Sequence, residues 1–168
     1  MRQSIFFNSL ATGETLIFSF FVNSSLSNTF DPTFTTSAGI LNWNLGDASS
    51  NVNSNILSHN YILDGIKTVN VYKGTTTGSN SITQINMDND SLTGTLDISS
   101  LTNLTYFSVQ TNPMLNYIIN PNSSQSIITY NVLNSGLTGT LDISGLTEFG
   151  GIFNVNSNSK LNYILNPS

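Results

Sequence analysis

The C-terminal half of the chain repeats one arrangement of apolar positions. Ile82-x-x-Ile85-x-Met87 returns as Leu104-x-x-Phe107-x-Val109, as Ile127-x-x-Tyr130-x-Val132 and as Gly150-x-x-Phe153-x-Val155. The steps are 22, 23 and 23 residues (82, 104, 127, 150). Three positions past each last apolar residue stands a small polar one: Asp90, Asn112, Ser135 and Asn158. Two further apolar rows follow, Leu92, Leu115, Leu137, Leu161 and Leu96, Ile118, Leu141, Ile164. Apolar residues two apart predict a short strand with those side chains inward. The strands fall at 85–87, 107–109, 130–132 and 153–155. One such turn cannot bury its own apolar face, so successive turns must stack into a coil. The Asn-like side chains stand where they can bond backbone groups that a turn leaves unpaired.

Two longer echoes support the period. "SLTGTLDIS" at 91–99 returns as "GLTGTLDIS" at 136–144, and "MLNYIINPNSS" at 114–124 as "KLNYILNPS" at 160–168. One extra Gly in "EFGGIF" (148–153) absorbs the one-residue difference in spacing. Gly94 and Gly139 are expected where the chain must turn. Residues 1–75 lack this period. Their runs "ETLIFSFFVNSS", "GILNWNLGDASS" and "YILDGIKTVNVYKG" alternate and are separated by Asn, Ser, Gly and Pro. That pattern predicts strands in an all-β unit. The chain is therefore read as mainly β: a β-sandwich over 1–75 and a repeat coil over 76–168, joined by "KGTTTGSNS" at 73–81.

The coil's period and its "LTGTLDIS" segments resemble the leucine-rich repeat, specifically the L-x-G-x-L/I segment of its plant-type variety. That resemblance implies a short solenoid of four repeats of 22–23 residues. In the first half, Trp43, Leu45, Gly46, Asp47 and Ser49 fit a W-x-F-G-D-G-S block, with Ala48 in place of Gly. His59 and Tyr61 fit H-x-Y, and Gly65, Thr68, Val69 and Val71 fit G-x-Y-T-V-x-V. These three ordered blocks resemble the PKD-type (polycystic-kidney-disease-type) domain, an Ig-like β-sandwich. The resemblance implies that Trp43 fills the core between two sheets and that the Gly46-Asp47 turn shapes a tight loop.

Charge narrows the partners. Charged residues are 8% of the chain, and four Lys+Arg stand against nine Asp+Glu for a net −5. Phosphate binding needs clustered cations, whereas Arg2, Lys67, Lys73 and Lys160 are scattered. Nucleic acid is not expected as a partner. No Cys is present, so there is no disulfide framework and no thiolate metal site. No apolar run approaches the ~18 residues of a membrane-spanning helix, so no membrane partner is expected. The opening "MRQSIFFNSLATGETLIFSFFV" is broken by Asn8, Ser9, Thr12, Gly13 and Glu14, and is read as carrying no export signal. Its "LIFSFFV" (16–22) reads as a buried strand. Asn23, Asn89, Asn103 and Asn122 begin N-x-S/T triplets, which arise readily in a chain this rich in Asn, Ser and Thr.

Candidate chemistry is sparse. His59, the only histidine, would need a nucleophile and an orienting acid to act as a base, and is read as structural. Asp47 with Asp64 offers oxygen ligands for calcium, against the preferred reading of a carboxylate capping its own turn. Asp88 and Asp90 are read as solvated rather than as an acid–base pair. No metal or cofactor is expected. The strand face of the coil is the candidate binding surface. Its outward positions are Gln84, Asn86, Asp88; Tyr106, Ser108, Gln110; Thr129, Asn131, Leu133; and Ile152, Asn154, Asn156. Asn86, Ser108, Asn131 and Asn154 form a polar row suited to a glycan or a protein strand, with Tyr106 as a stacking ring.

The expected function is non-enzymatic: a structural or binding protein of a virion surface, such as a phage capsid decoration or a head-fibre or tail-fibre component. A bacterial cell-surface adhesin module is the alternative. Partners would be other virion or surface proteins, with self-association or docking through the C-terminal end, and a glycan or host receptor on the strand face. The C-terminal end is singled out because Phe153, Val155, Leu161, Ile164 and Leu165 belong to a turn with no further repeat stacked on it.

Overall fold

The computed structural model describes residues 15–74, 82–122 and 125–165, and these form fifteen β-strands and no helix. The opening segment read for an export signal, most of the 73–81 joint and the last three residues lie outside them.

Seven strands precede the coil: β1 (Leu16–Asn23), β2 (Thr29–Phe30), β3 (Thr33–Thr36), β4 (Leu41–Asn44), β5 (Val52–Asn53), β6 (His59–Asn60) and β7 (Ile66–Lys73). Alternation makes β1 a strand, with Phe18, Phe20 and Val22 buried on one side. β7 lies between β1 and β4, antiparallel to both, and β5 closes the edge. The facing layer is β3 with the short β2–β6 pair. Aromatic rings fill the space between. Phe34 meets Trp43 edge-on at 4.9 Å and stacks on Phe18 at 6.0 Å, while Phe30 meets Trp43 at 6.3 Å. Trp43 is fully buried, and its Nε1 donates to the Ser54 carbonyl at 2.6 Å.

The coil has two strands per turn: β8 (Ile82–Asn86) and β9 (Leu92–Asp97), then β10 (Tyr106–Ser108) and β11 (Met114–Ile119). The third and fourth turns carry β12 (Gln125–Asn131) and β13 (Thr138–Asp142), and β14 (Leu146–Asn154) and β15 (Lys160–Leu165). β8, β10, β12 and β14 stack in parallel, with Ile85, Phe107, Tyr130 and Phe153 side by side. This is the register that the repeat predicts. Met87, Val109 and Val132 lie one residue past the strand ends and still donate across, to the Ser108, Asn131 and Asn154 carbonyls.

The second strand of each turn was not anticipated as a strand. β9 pairs with β11 and β13 with β15, both in parallel, but no ladder joins β11 to β13. Asn120 Nδ2 bridges that gap by donating to the Asp142 carbonyl at 2.8 Å. Gly136 permits the close approach there: a Cβ on it would sit 2.1 Å from the Pro113 carbonyl oxygen. One alignment is corrected. Ile127 pairs with Phe149 and Thr129 with Ile152, so Phe149, not Gly150, takes the first apolar slot of the fourth turn. The Gly150-Gly151 pair bulges against Ile128, where the extra residue is absorbed.

The sandwich and the coil share both sheets. β1 pairs antiparallel with β9, and β3 pairs antiparallel with β8. The strand orders are thus β11-β9-β1-β7-β4-β5 and β14-β12-β10-β8-β3, around one continuous apolar core. The small polar residues of each turn are buried inside it. Asn112 accepts from the Leu92 N–H at 2.9 Å and donates to the Met87 and Val109 carbonyls at 2.8 and 2.7 Å. Asn158 repeats the arrangement, accepting from the Ser135 and Leu137 N–H groups and donating to the Val132 and Val155 carbonyls.

Replacing Trp43 with Ala empties the ring-lined centre of the sandwich and orphans the Ser54 carbonyl. A loss of about 3–5 kcal/mol is expected, read as the change in unfolding free energy by urea titration. Near-wild-type stability would mean that this ring does not anchor the N-terminal layers.

Candidate functional site

The coil's front face displays the two expected rows in register. Gln84, Tyr106, Thr129 and Ile152 form one, and Asn86, Ser108, Asn131 and Asn154 the other. Neighbouring rungs stand about 4.8 Å apart, the ordinary strand spacing. Three of the four polar rungs behave alike. The Oδ1 atoms of Asn86, Asn131 and Asn154 accept from the backbone N–H two residues on, at 3.0, 3.3 and 3.2 Å. Each amide oxygen is therefore spent on its own turn. Among the described residues, no partner takes up their Nδ2 groups, so the row offers donors. Tyr106 stands half-buried beside it.

Ser108 breaks the row, and its assignment as an outward binding residue is corrected: it is 0% exposed. Here the serine hydroxyl is turned to Asp88 of the neighbouring coil instead of the N–H two residues ahead, and the turn is completed from that coil. Asp88 Oδ1 accepts from Ser108 Oγ at 2.6 Å and from the Gln110 N–H at 3.0 Å, while its Oδ2 accepts from Gln110 Nε2 at 2.8 Å. Asp88 is not simply solvated. It is a clamp across two turns. Asp90 departs further from the solvated reading, being 3% exposed.

At the far end of the sandwich the three motif blocks meet. Asp47 Oδ1 accepts from the Ser49 hydroxyl at 2.6 Å and from its N–H at 3.1 Å, capping its own turn. Asp47 Oδ2 lies 2.7 Å from His59 Nε2. Burial works to raise the Asp47 pKa, but the bonds from Ser49 and His59 outweigh it and leave the pKa lowered. A nucleophile–base pair would need Ser49 bonded to His59; here both bond to Asp47 instead. Both Asp47 oxygens are thus engaged, Asp64 is exposed, and no acid or histidine cluster fit for a metal occurs among the described residues. His59 packs edge-on against Tyr61 at 4.7 Å, and the Tyr61 hydroxyl donates to the Leu45 carbonyl at 3.1 Å. One feature escaped the sequence reading. A cleft of about 500 Å³ opens beside His59, walled by Ile62, Leu63 and Lys67. Its signal in the chain is "YILDG", two aliphatics placed at a turn where alternation calls for polar residues.

The chain is thus an all-β protein with a C-terminal β-solenoid of about four turns. Comparison with protein families, with curated proteins and with solved structures finds no match to it.

Removing the Asp88 carboxylate leaves a buried hydroxyl and a backbone N–H without partners. Asp88→Ala is expected to cost about 1–3 kcal/mol, and Asn86→Ala less, because its turn stays open to water. Thermal melts of the two variants compare them; equal losses would mean that the clamp adds nothing to an ordinary turn.

Proposed function

We propose that the protein is a non-enzymatic structural and binding component of a virion surface, such as a capsid decoration or a head-fibre or tail-fibre part. Its N-terminal half is read as a PKD-type sandwich and its C-terminal half as a leucine-rich-repeat-like coil. The contacts among Leu45, Asp47, His59 and Tyr61 support the first reading, since they join two of the motif blocks. A net charge of −5 with few charged residues suits a surface that carries no nucleic acid.

The observation that carries the proposal is the difference between the two ends of the coil. The first edge is closed by β1 and β3. At the other end, Phe153 is 37% exposed, whereas Ile85, Phe107 and Tyr130 in the same row are 0% exposed. Ile152, Tyr163 and Leu165 are also exposed there, beside the unpaired edges of β14 and β15. An apolar edge of this length is a template for another strand.

The occupant assigned to it is a second copy, tail to tail. Among the described residues, β1 and β3 already cover the coil edge that would continue the stack head to tail, so an identical partner is met at its own open end. The contact is then isologous and closes as a two-fold dimer. The polar row with Tyr106 stays outward and free to meet a glycan or a receptor protein.

Light scattering of the 168-residue chain tests the docking end. A dimer that Ile152→Lys converts to a folded monomer supports it; a monomer at all concentrations overturns it. Binding by the outward face is tested with Tyr106→Ala combined with Asn131→Ala on a glycan or receptor panel. Lost binding with an unchanged melting temperature is expected, and unchanged binding would move the site to the cleft beside His59. The setting is tested by the neighbouring genes: capsid, portal or tail genes support a virion protein, while surface-export and anchoring genes favour an adhesin.

A further inference from the structure

The four buried polar slots of the coil are occupied by Asp90, Asn112, Ser135 and Asn158. In the two asparagine slots, Oδ1 accepts backbone N–H groups and Nδ2 donates to three carbonyls. These are the carbonyls of the residues three and two positions back and that of the turn before. Asp90 makes the accepting half of this pattern: its Oδ1 takes the Asp31 N–H at 2.7 Å. Its Oδ2 is buried and meets no donor. By the equivalence of the turns, Oδ2 stands where Nδ2 stands in Asn112, toward the Met87 and Asp88 carbonyls. A carboxylate oxygen facing carbonyl oxygens is repelled by them, whereas a carboxylic acid can donate its proton to one.

We propose that Asp90 is held as a neutral carboxylic acid that imitates the ladder asparagine, and that its ionisation loosens the joint between the N-terminal layers and the first coil turn. The position makes this consequential. Asp31 lies between β2 and β3, and the next residue of the coil turn, Ser91, accepts from the Asn23 N–H at 2.9 Å. The turn 88–91 is therefore gripped from two separate N-terminal segments. It is also bent tightly, with Asn89 and Ser91 at φ of 60° and 56°.

Apart from the Asp31 N–H, the surroundings of Asp90 disfavour its charge. Burial contributes most, opposed only by the Asp31 N–H, and the carboxylates of Asp31 and Asp88 add to it. The buried Tyr61 phenol, on the sandwich side, also feels the Asp90 charge. No cation among the described residues offsets these. Together they push the carboxyl up to about 7 from 3.8. With the folded pKa above the unfolded one, the folded state holds the proton more tightly. The stabilisation is full below the unfolded value of 3.8 and is lost as pH rises to about 7.

The test compares the full chain with Asp90→Asn, which installs the ladder residue, and with Asp90→Ser, which copies the slot of Ser135. Carboxyl-carbon NMR should show Asp90 titrating near 7 rather than near 4. Melting temperatures should match at about pH 4, and Asp90→Asn should exceed the wild type by about 5 °C or more at about pH 8. Exchange of the Asp31 and Asn23 amides, corrected for intrinsic rates, should quicken over the same range in the wild type and stay constant in Asp90→Asn. A carboxyl that titrates near 4, or melting curves of wild type and both variants that run parallel with pH, would overturn the proposal. So would calcium that raises the wild-type melting temperature above about pH 7 but leaves Asp90→Asn unchanged, since the slot would then hold a cation.

Discussion

The coil depends on two antiparallel seams, β1 on β9 and β3 on β8. A parallel stack can satisfy its interior strands from either side, but its first strand always presents an unpaired edge. Here that edge is met in both sheets by strands already held in a different architecture. β1 is fixed by seven register pairs to β7, and β3 is braced on its other side by Phe34 N–H donating to the Asn55 carbonyl. The sandwich therefore acts as the cap that a repeat coil needs. Sharing the sheets also merges the cores, so that Phe20 and Val22 belong to the same apolar interior as Leu92 and Leu96.

Within the stack, backbone satisfaction at the corner sets the composition. Each corner leaves carbonyls and N–H groups inside, away from water, and a buried amide side chain answers both kinds at once. Asparagine does this completely at Asn112 and Asn158. Serine answers less: Ser135 Oγ reaches the Val109 carbonyl at 2.7 Å, while its own N–H and that of Leu137 depend on Asn158 from the following turn. Ser108 on the front face poses the same shortage and receives the same remedy, an acceptor lent by the adjacent turn through Asp88. Neighbouring turns thus share polar groups as well as apolar area, which couples them more tightly than stacking alone.

How far this was legible follows from where each signal lies. The repeat places identical chemistry at each turn, so the side-by-side arrangement of Ile85, Phe107, Tyr130 and Phe153 could be read from spacing alone. Trp43 was readable as core from its motif block. The seams were not, because pairing β1 with β9 joins positions some seventy residues apart with no local mark. Ser108 looked outward by alternation, and only the reach of Asp88 from the previous turn buries it. Asp90 looked solvated because acids usually are; its burial follows from holding the slot of Asn112 one turn earlier. Phe149 was missed because a bulge shifts phase within a strand, and "FGGIF" admits two alignments that spacing cannot separate.

The physical contrast between face and end decides what kind of recognition each can support. On the face, the acceptor side of each asparagine is consumed by its own turn, so the row projects donors from a rigid scaffold. Such a row suits an acceptor-rich chain, a glycan or an extended peptide, whose affinity would come from several modest hydrogen bonds with Tyr106 as the one ring. Its few contacts compete with water, and selectivity rests on spacing rather than strength. The end of the coil offers the reverse: apolar side chains beside unpaired strand edges, where contact removes surface from water and completes ladders together. A strand docked there would be selected only weakly by its side chains, because backbone pairing is common to all strands. A protein with both would be anchored by its end and read its surroundings with its face. The Asp90 slot sits at the opposite, capped end, so the loosening proposed for it would act far from the docking end but beside the first rungs of the face, where the same turn carries Asp88.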